Sequence, residues 1–159
     1  MVGRQTAVLL AALLQDQERK LAVAESCTGG AIAAACTALP GSSAWFEGGV
    51  VSYSNAAKVA LLGVQQLSIE EHGAVSQAVV EQMVAGLCQR LGASCGIATS
   101  GVAGPSGGSA EKPVGTVWIA TQVDDQRLSH CYRFSGDRTS VQRQAVEKSL
   151  QSLLQRLTD

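Results

Sequence analysis

Val8, Leu9, Ala12 and Leu13 recur at three- and four-residue spacing before the polar run Gln15 to Lys20, which predicts an amphipathic helix over about residues 4–19. Leu21 to Ala24 is a short unbroken apolar run and reads as a buried strand. A turn and an alanine-rich helix follow, stopped near Leu39 by Pro40 and Gly41. Gly48 to Tyr53 is strand-like, and Asn55 is placed to cap a helix carrying Lys58, Leu61 and Leu62 that Gly63 ends. Gln66 to His72 reads as a short irregular or helical link. Ser76 can cap the next helix, with Val80, Met83, Val84 and Leu87 on its apolar face, and Ser94 to Thr99 forms the next strand. Val114 to Val123 and Leu128 to Phe134 pair as antiparallel strands about Asp124-Asp125-Gln126. Asp137 then caps a long helix whose Val146, Leu150, Leu153, Leu154 and Leu157 face inward.

This alternation of helices and strands predicts an α/β fold, a three-layer α/β/α sandwich with a mixed, mainly parallel sheet. No repeat or linker divides the chain, so residues 1–159 are expected to form a single domain. A composition of 46% hydrophobic and 16% charged residues argues against disorder. The net charge of −1, without a lysine or arginine block, leaves no nucleic-acid footprint. The first apolar patch is too short for a signal peptide or a membrane span, so a cytoplasmic enzyme without membrane attachment is expected. The five cysteines lack a CxxC pair or zinc-ligand spacing, which points to reduced, mostly buried thiols and no metal.

Function concentrates in two glycine-rich turns that each follow an apolar strand. The first, Ala24-Glu25-Ser26-Cys27-Thr28-Gly29-Gly30, sets Ser26 on a strand-to-helix turn, where backbone N–H groups of the following helix can face an oxyanion. The second runs from Ser100 to Gly108 and can present successive N–H groups to an anion, although it is neither a GxGxxG nor a P-loop motif. A serine nucleophile needs a proton acceptor. The candidates are His72, His130, Lys112 and Lys58, of which Lys58 stands out because burial or the first turn of a helix disfavours its charged form. Tyr53 offers a phenol near the same strand end, and Ser100 a second hydroxyl. Ser42 and Ser43 read as helix caps rather than nucleophiles, and Arg138 and Arg143 can reach a phosphate or carboxylate.

The segments AESCTGG (Ala24 to Gly30), PGSS (Pro40 to Ser43), Gly48-Gly49 through Tyr53-Ser54-Asn55 to Lys58, Ser100 to Pro105, Gly107-Gly108 and KPVGTV (Lys112 to Val117) occur together and in order. With Phe134 to Arg138 they make the chain resemble the CinA carboxy-terminal domain family, in its stand-alone form. The resemblance implies hydrolysis of the nicotinamide carboxamide of nicotinamide mononucleotide, giving nicotinic acid mononucleotide and ammonia without cofactor or metal. It also implies Ser26 as nucleophile and Lys58 as general base, supported by Tyr53 and by Ser100 where many relatives carry threonine. Thr28, Gly29, Gly30, Ser43, Asn55, Gly101, Gly104, Gly107, Gly108 and Arg138 are expected to face the substrate. The partners implied are a small-molecule nucleotide and further copies of the chain in a homo-oligomer, with no nucleic acid and no membrane. The alternatives are an amidase of the same mechanism acting on another carboxamide, and a non-catalytic nucleotide-binding module.

Overall fold

A computed structural model describes residues 2–159. The strands β1 (Leu21–Glu25), β2 (Phe46–Val51), β3 (Cys95–Gly101), β4 (Thr116–Val123) and β5 (Gln126–Arg133) form one sheet in the order β2-β1-β3-β4-β5. β1 pairs in parallel with both β2 and β3, whereas β4 runs antiparallel to β3 and to β5. Only β4 therefore opposes the common strand direction, as a mixed, mainly parallel sheet requires.

Alternation along the buried strands sorts the core into two layers. Leu21, Val23, Cys95 and Ile97 pack beneath α1 (Arg4–Asp16), α2 (Ala31–Thr37) and α6 (Arg138–Thr158). Ala22, Ala24, Ala98 and Ala120 face the opposite layer of α3 (Asn55–Leu62), α4 (Gln66–His72) and α5 (Gln77–Leu91). The predicted stripe Val80, Met83, Val84 and Leu87 of α5 is fully buried there. At roughly 25 cal/mol per Å2 of apolar surface, such side chains contribute about 1.5–3 kcal/mol each.

Several boundaries depart from the sequence pattern. α1 ends at Asp16, and its buried stripe is Ala7, Leu10 and Leu14; Val8 and Leu9, read from the same apolar run, are exposed. An apolar run longer than one stripe fits two faces, and the sequence does not say which meets the sheet. β2 begins at Phe46 and ends at Val51: Phe46 pairs with Leu21 and Gly48 to Val51 with Ala22 to Glu25, the register shifting by one at Glu47. Residues 42–44 form a single 3₁₀ turn after Gly41 instead of being helix caps, and no side-chain cap bond is made there. Ser54, not Asn55, caps α3: its hydroxyl accepts from the Ala57 N–H at 3.0 Å, and Asn55 is the first helical residue. Asp137 and Ser76 cap α6 and α5 as their positions predict. Among the described residues, no helix is long and apolar enough to cross a membrane.

The strand order creates the site. The chain leaves β1 through α2 to reach β2, then jumps back across β1 through α3, α4 and α5 to reach β3. Connections departing to opposite faces open a crevice at the carboxyl ends of the central strands. Ser26, Ser52 and Ser100 all lie there.

Candidate active site

The first glycine-rich turn is built from inside. Gly29 and Gly30 adopt φ +63° and +103°, which L side chains rarely reach, and they fold the chain sharply from β1 into α2. The Gly29 N–H donates to the Ser26 carbonyl at 3.0 Å, and the Ala31 N–H to the Thr28 carbonyl at 3.0 Å. The N–H groups that open α2 are taken by the fully buried carboxylate of Glu25. Its Oε1 accepts from Gly30 (3.1 Å) and Ile32 (3.0 Å), and its Oε2 from Ala33 (2.9 Å). The start of α2 is thus not available to a substrate oxyanion, which corrects the expectation placed on the Gly30 end of the turn. Among the described residues, neither the Cys27 nor the Thr28 N–H donates to another residue.

Ser26 and Lys58 meet. Lys58 Nζ lies 3.0 Å from Ser26 Oγ and also donates to the carbonyls of Ser52 (2.9 Å) and Tyr53 (3.3 Å). The lysine is fully buried, and burial lowers its pKa from the ordinary value of 10.5 by penalising the ammonium form. No carboxylate forms an ion pair with it among the described residues. A lysine so placed surrenders its proton more readily than an exposed one and, once neutral, can take one from a hydroxyl.

A cavity of about 200 Å3 opens over this pair, lined by Ser26, Cys27, Tyr53, Asn55, Lys58, Ala74, Val75, Ser100, Gly101, Ala103 and Arg138. Arg138, at the start of α6, spans its rim: Nη1 donates to the Gly104 carbonyl at 2.7 Å and Nη2 to the Tyr53 phenol at 3.0 Å. Tyr53 is half exposed, so its hydroxyl stands at the mouth rather than at the base. The Ser100 hydroxyl is buried and donates to the Ala74 carbonyl at 2.8 Å, which ties β3 to the wall formed by Ala74 and Val75. The Cys27 thiol is pushed up to about 12 by burial and stays protonated beside the serine.

The other expected residues divide. Asn55 and Gly101 line the cavity, and Gly104 borders it through its carbonyl. Thr28 is buried behind the turn, its hydroxyl 2.9 Å from that of Thr99. Gly107 and Gly108 lie on the exposed part of the second loop, against Val102 and Val114, outside the cavity lining. Ser43 is corrected. It precedes β2 at the amino ends of the strands, with its carbonyl accepting from Lys20 Nζ at 3.3 Å, so a strand's length separates it from Ser26. The rival bases are also elsewhere: Lys112 donates to the His72 carbonyl, His72 is exposed beside Glu71, and His130 is exposed on β5. Arg143 is exposed and lines no part of the cavity. Glu25, Ala74 and Val75 are the contributors that motif reading overlooked. Glu25 carried one signal, a carboxylate closing an otherwise apolar strand.

A three-layer α/β/α domain with a buried serine–lysine pair at the carboxyl ends of its parallel strands is the class these observations define. The CinA C-terminal domain family model matches residues 4–157, and the chain belongs to that family. Among relatives, it is 50% identical over 151 residues to a nicotinamide-nucleotide amidohydrolase PncC of Enterobacter agglomerans, covering 94% of this chain and 92% of that one. It is 54% identical over 136 residues to a protein of the same name from Pseudomonas putida, covering 86% and 85%. A crystal structure of the competence damage-inducible protein A (ComA) from Klebsiella pneumoniae superposes with a TM-score of 0.96 at 37% identity, covering 99% of this chain and 98% of that one.

Proposed function

We propose that this protein hydrolyses the carboxamide of nicotinamide mononucleotide, releasing ammonia and nicotinic acid mononucleotide, with Ser26 as nucleophile and Lys58 as its base. The observation that carries the chemistry is the 3.0 Å contact between a buried lysine amine and the serine hydroxyl. The activity in the names of the PncC relatives supports this choice of substrate.

Neutral Lys58 accepts the Ser26 proton as Oγ bonds to the carboxamide carbon. The resulting oxyanion takes the N–H of Cys27, which lines the cavity beside Ser26, a good donor being worth roughly 3 kcal/mol. Collapse breaks the C–N bond, and the Lys58 proton leaves with the ammonia. Water then attacks the acyl-serine, gives its proton to Lys58, and the carboxylic acid departs as Ser26 is reprotonated.

A cavity of about 200 Å3 suits the nicotinamide ring alone. A second cavity of about 450 Å3 adjoins it, sharing Ala103 and Arg138 and lined also by Pro105, Val114, Gly136, Asp137 and Thr139. The ribose phosphate would extend there, past the Arg138 guanidinium. Ammonia release from nicotinamide mononucleotide, free nicotinamide and NAD tests this reading. The mononucleotide is expected to turn over fastest; equal or faster turnover of free nicotinamide, or no release from any of the three, would overturn it.

A further inference from the structure

Glu25 is the one fully buried acidic side chain among the described residues, and the chemistry above does not use it. No lysine, arginine or histidine pairs with it there. Its charge rests on three N–H groups of α2, an arrangement in which charge-assisted bonds replace a counterion. The same residue holds the other half of the site through its main chain. The Glu25 carbonyl accepts from the Ser52 N–H at 2.8 Å, and the Ser52 carbonyl in turn accepts from Lys58 Nζ at 2.9 Å. Ser26 follows immediately in sequence. One residue thereby fixes the entry of the nucleophile turn, the helix leaving it, and the carbonyl that seats the base.

We propose that Glu25 is a positioning residue for the serine–lysine pair. With the α2 N–H groups satisfied, the turn has a single geometry, and Cys27, which lines the cavity, keeps its N–H for the acyl oxygen. The residue exchanges no proton with substrate and touches neither reacting atom. A neutral amide of the same length cannot replace it, because its NH2 group would face the Ala33 N–H.

The proposal rests on the serine–lysine reading, and Glu25→Gln in the full chain tests it. Hydrogen exchange in the substrate-free protein is expected to quicken about tenfold or more at Gly30, Ile32 and Ala33. With nicotinamide mononucleotide, kcat is expected to fall about 100-fold, the cost of a small misplacement of reacting groups, while KM stays within about threefold. The acid limb of the pH profile should stay where Lys58 sets it. If Glu25→Gln does not fold, Glu25→Asp keeps the charge on a shorter arm, and the same quickened exchange and kcat-specific loss are expected. A folded variant with unchanged exchange and unchanged kcat overturns the proposal, as does a loss confined to KM or a displaced acid limb. Should wild type leave the mononucleotide intact, the substrate reading fails separately. Exchange and the rate of Ser26 acetylation by p-nitrophenyl acetate, compared between wild type and Glu25→Gln, then decide the role of Glu25: slower acetylation with faster exchange supports it, and equal rates overturn it.

Discussion

The two glycine-rich turns follow neighbouring parallel strands, yet the balance of internal bonds to outside ties differs between them. The turn after β1 is bonded largely within itself: the Ser26 and Thr28 carbonyls take its own N–H groups and Glu25 caps the helix it starts, with Gln142 of α6 on the Cys27 carbonyl and Thr99 of β3 on Thr28 as its outside ties. The loop after β3 is tied from outside, by Arg138 on Gly104, Lys112 on the His72 carbonyl and β4 on Val102, while residues 105–110 are exposed. A nucleophile gains from the first arrangement, because reacting atoms must be held closely before substrate arrives. A wall that has to admit and release the proposed nucleotide substrate gains from the second. Glycine therefore does different work in each: it sets a fixed bend in the first and leaves the backbone open in the second.

That contrast breaks most visibly at the serine. Ser26→Ala is expected to lower kcat by at least about 1,000-fold, since losing the nucleophile leaves only binding and backbone donors. Its melting temperature should stay near that of wild type, and ammonia release with a thermal melt on the same sample checks both. Lys58→Arg should approach the same loss, because a guanidinium stays charged and accepts no proton. On the proposed mechanism the neutral amine is the working form, so kcat/KM is expected to rise with pH as Lys58 deprotonates and to fall about tenfold per unit below its pKa. Burial lowers that pKa, so the acid limb must lie below the ordinary lysine value of 10.5. A midpoint at or above that value would contradict a desolvated base.

Arg138 sharpens the contrast from the loop side. Arg138→Ala removes both the tie to Gly104 and the contact with Tyr53, and kcat/KM is expected to fall about 10- to 100-fold at unchanged stability. The smallest difference concerns the glycines themselves. Gly30→Ala forces a side chain into φ +103° within a fixed turn and should cost about 1–2 kcal/mol of stability. Gly107→Ala, at φ +92° on an exposed segment outside the cavity lining, is strained too but should cost less than Gly30→Ala, about 1 kcal/mol or below. Denaturant midpoints of the two variants measure the gap, and equal losses would deny that the turns differ in rigidity.

The strand and helix order was legible because each buried run and each cap signals locally: Ser76 and Asp137 start the helices they were read to start. Ser26, Lys58, Tyr53 and Ser100 were named together from the family resemblance, and the carboxyl-end position of Ser26 and Ser100 was legible; the contact between Ser26 and Lys58 was not, because it depends on how α3 folds back over β1. Ser43 was misjudged because a motif shows adjacency in sequence, not the end of the sheet on which it falls. Glu25 was passed over for a related reason. Which N–H groups a turn keeps for itself depends on a side chain folding back five to eight residues ahead, and composition carries no trace of that.

The covalent intermediate offers the most direct measurement. Wild type mixed with nicotinamide mononucleotide and quenched in acid within one turnover is expected to carry a nicotinate-mononucleotide acyl group on the peptide containing Ser26, and Ser26→Ala to carry none and release no ammonia. Ammonia release at the wild-type rate by Ser26→Ala would contradict the serine–lysine mechanism outright.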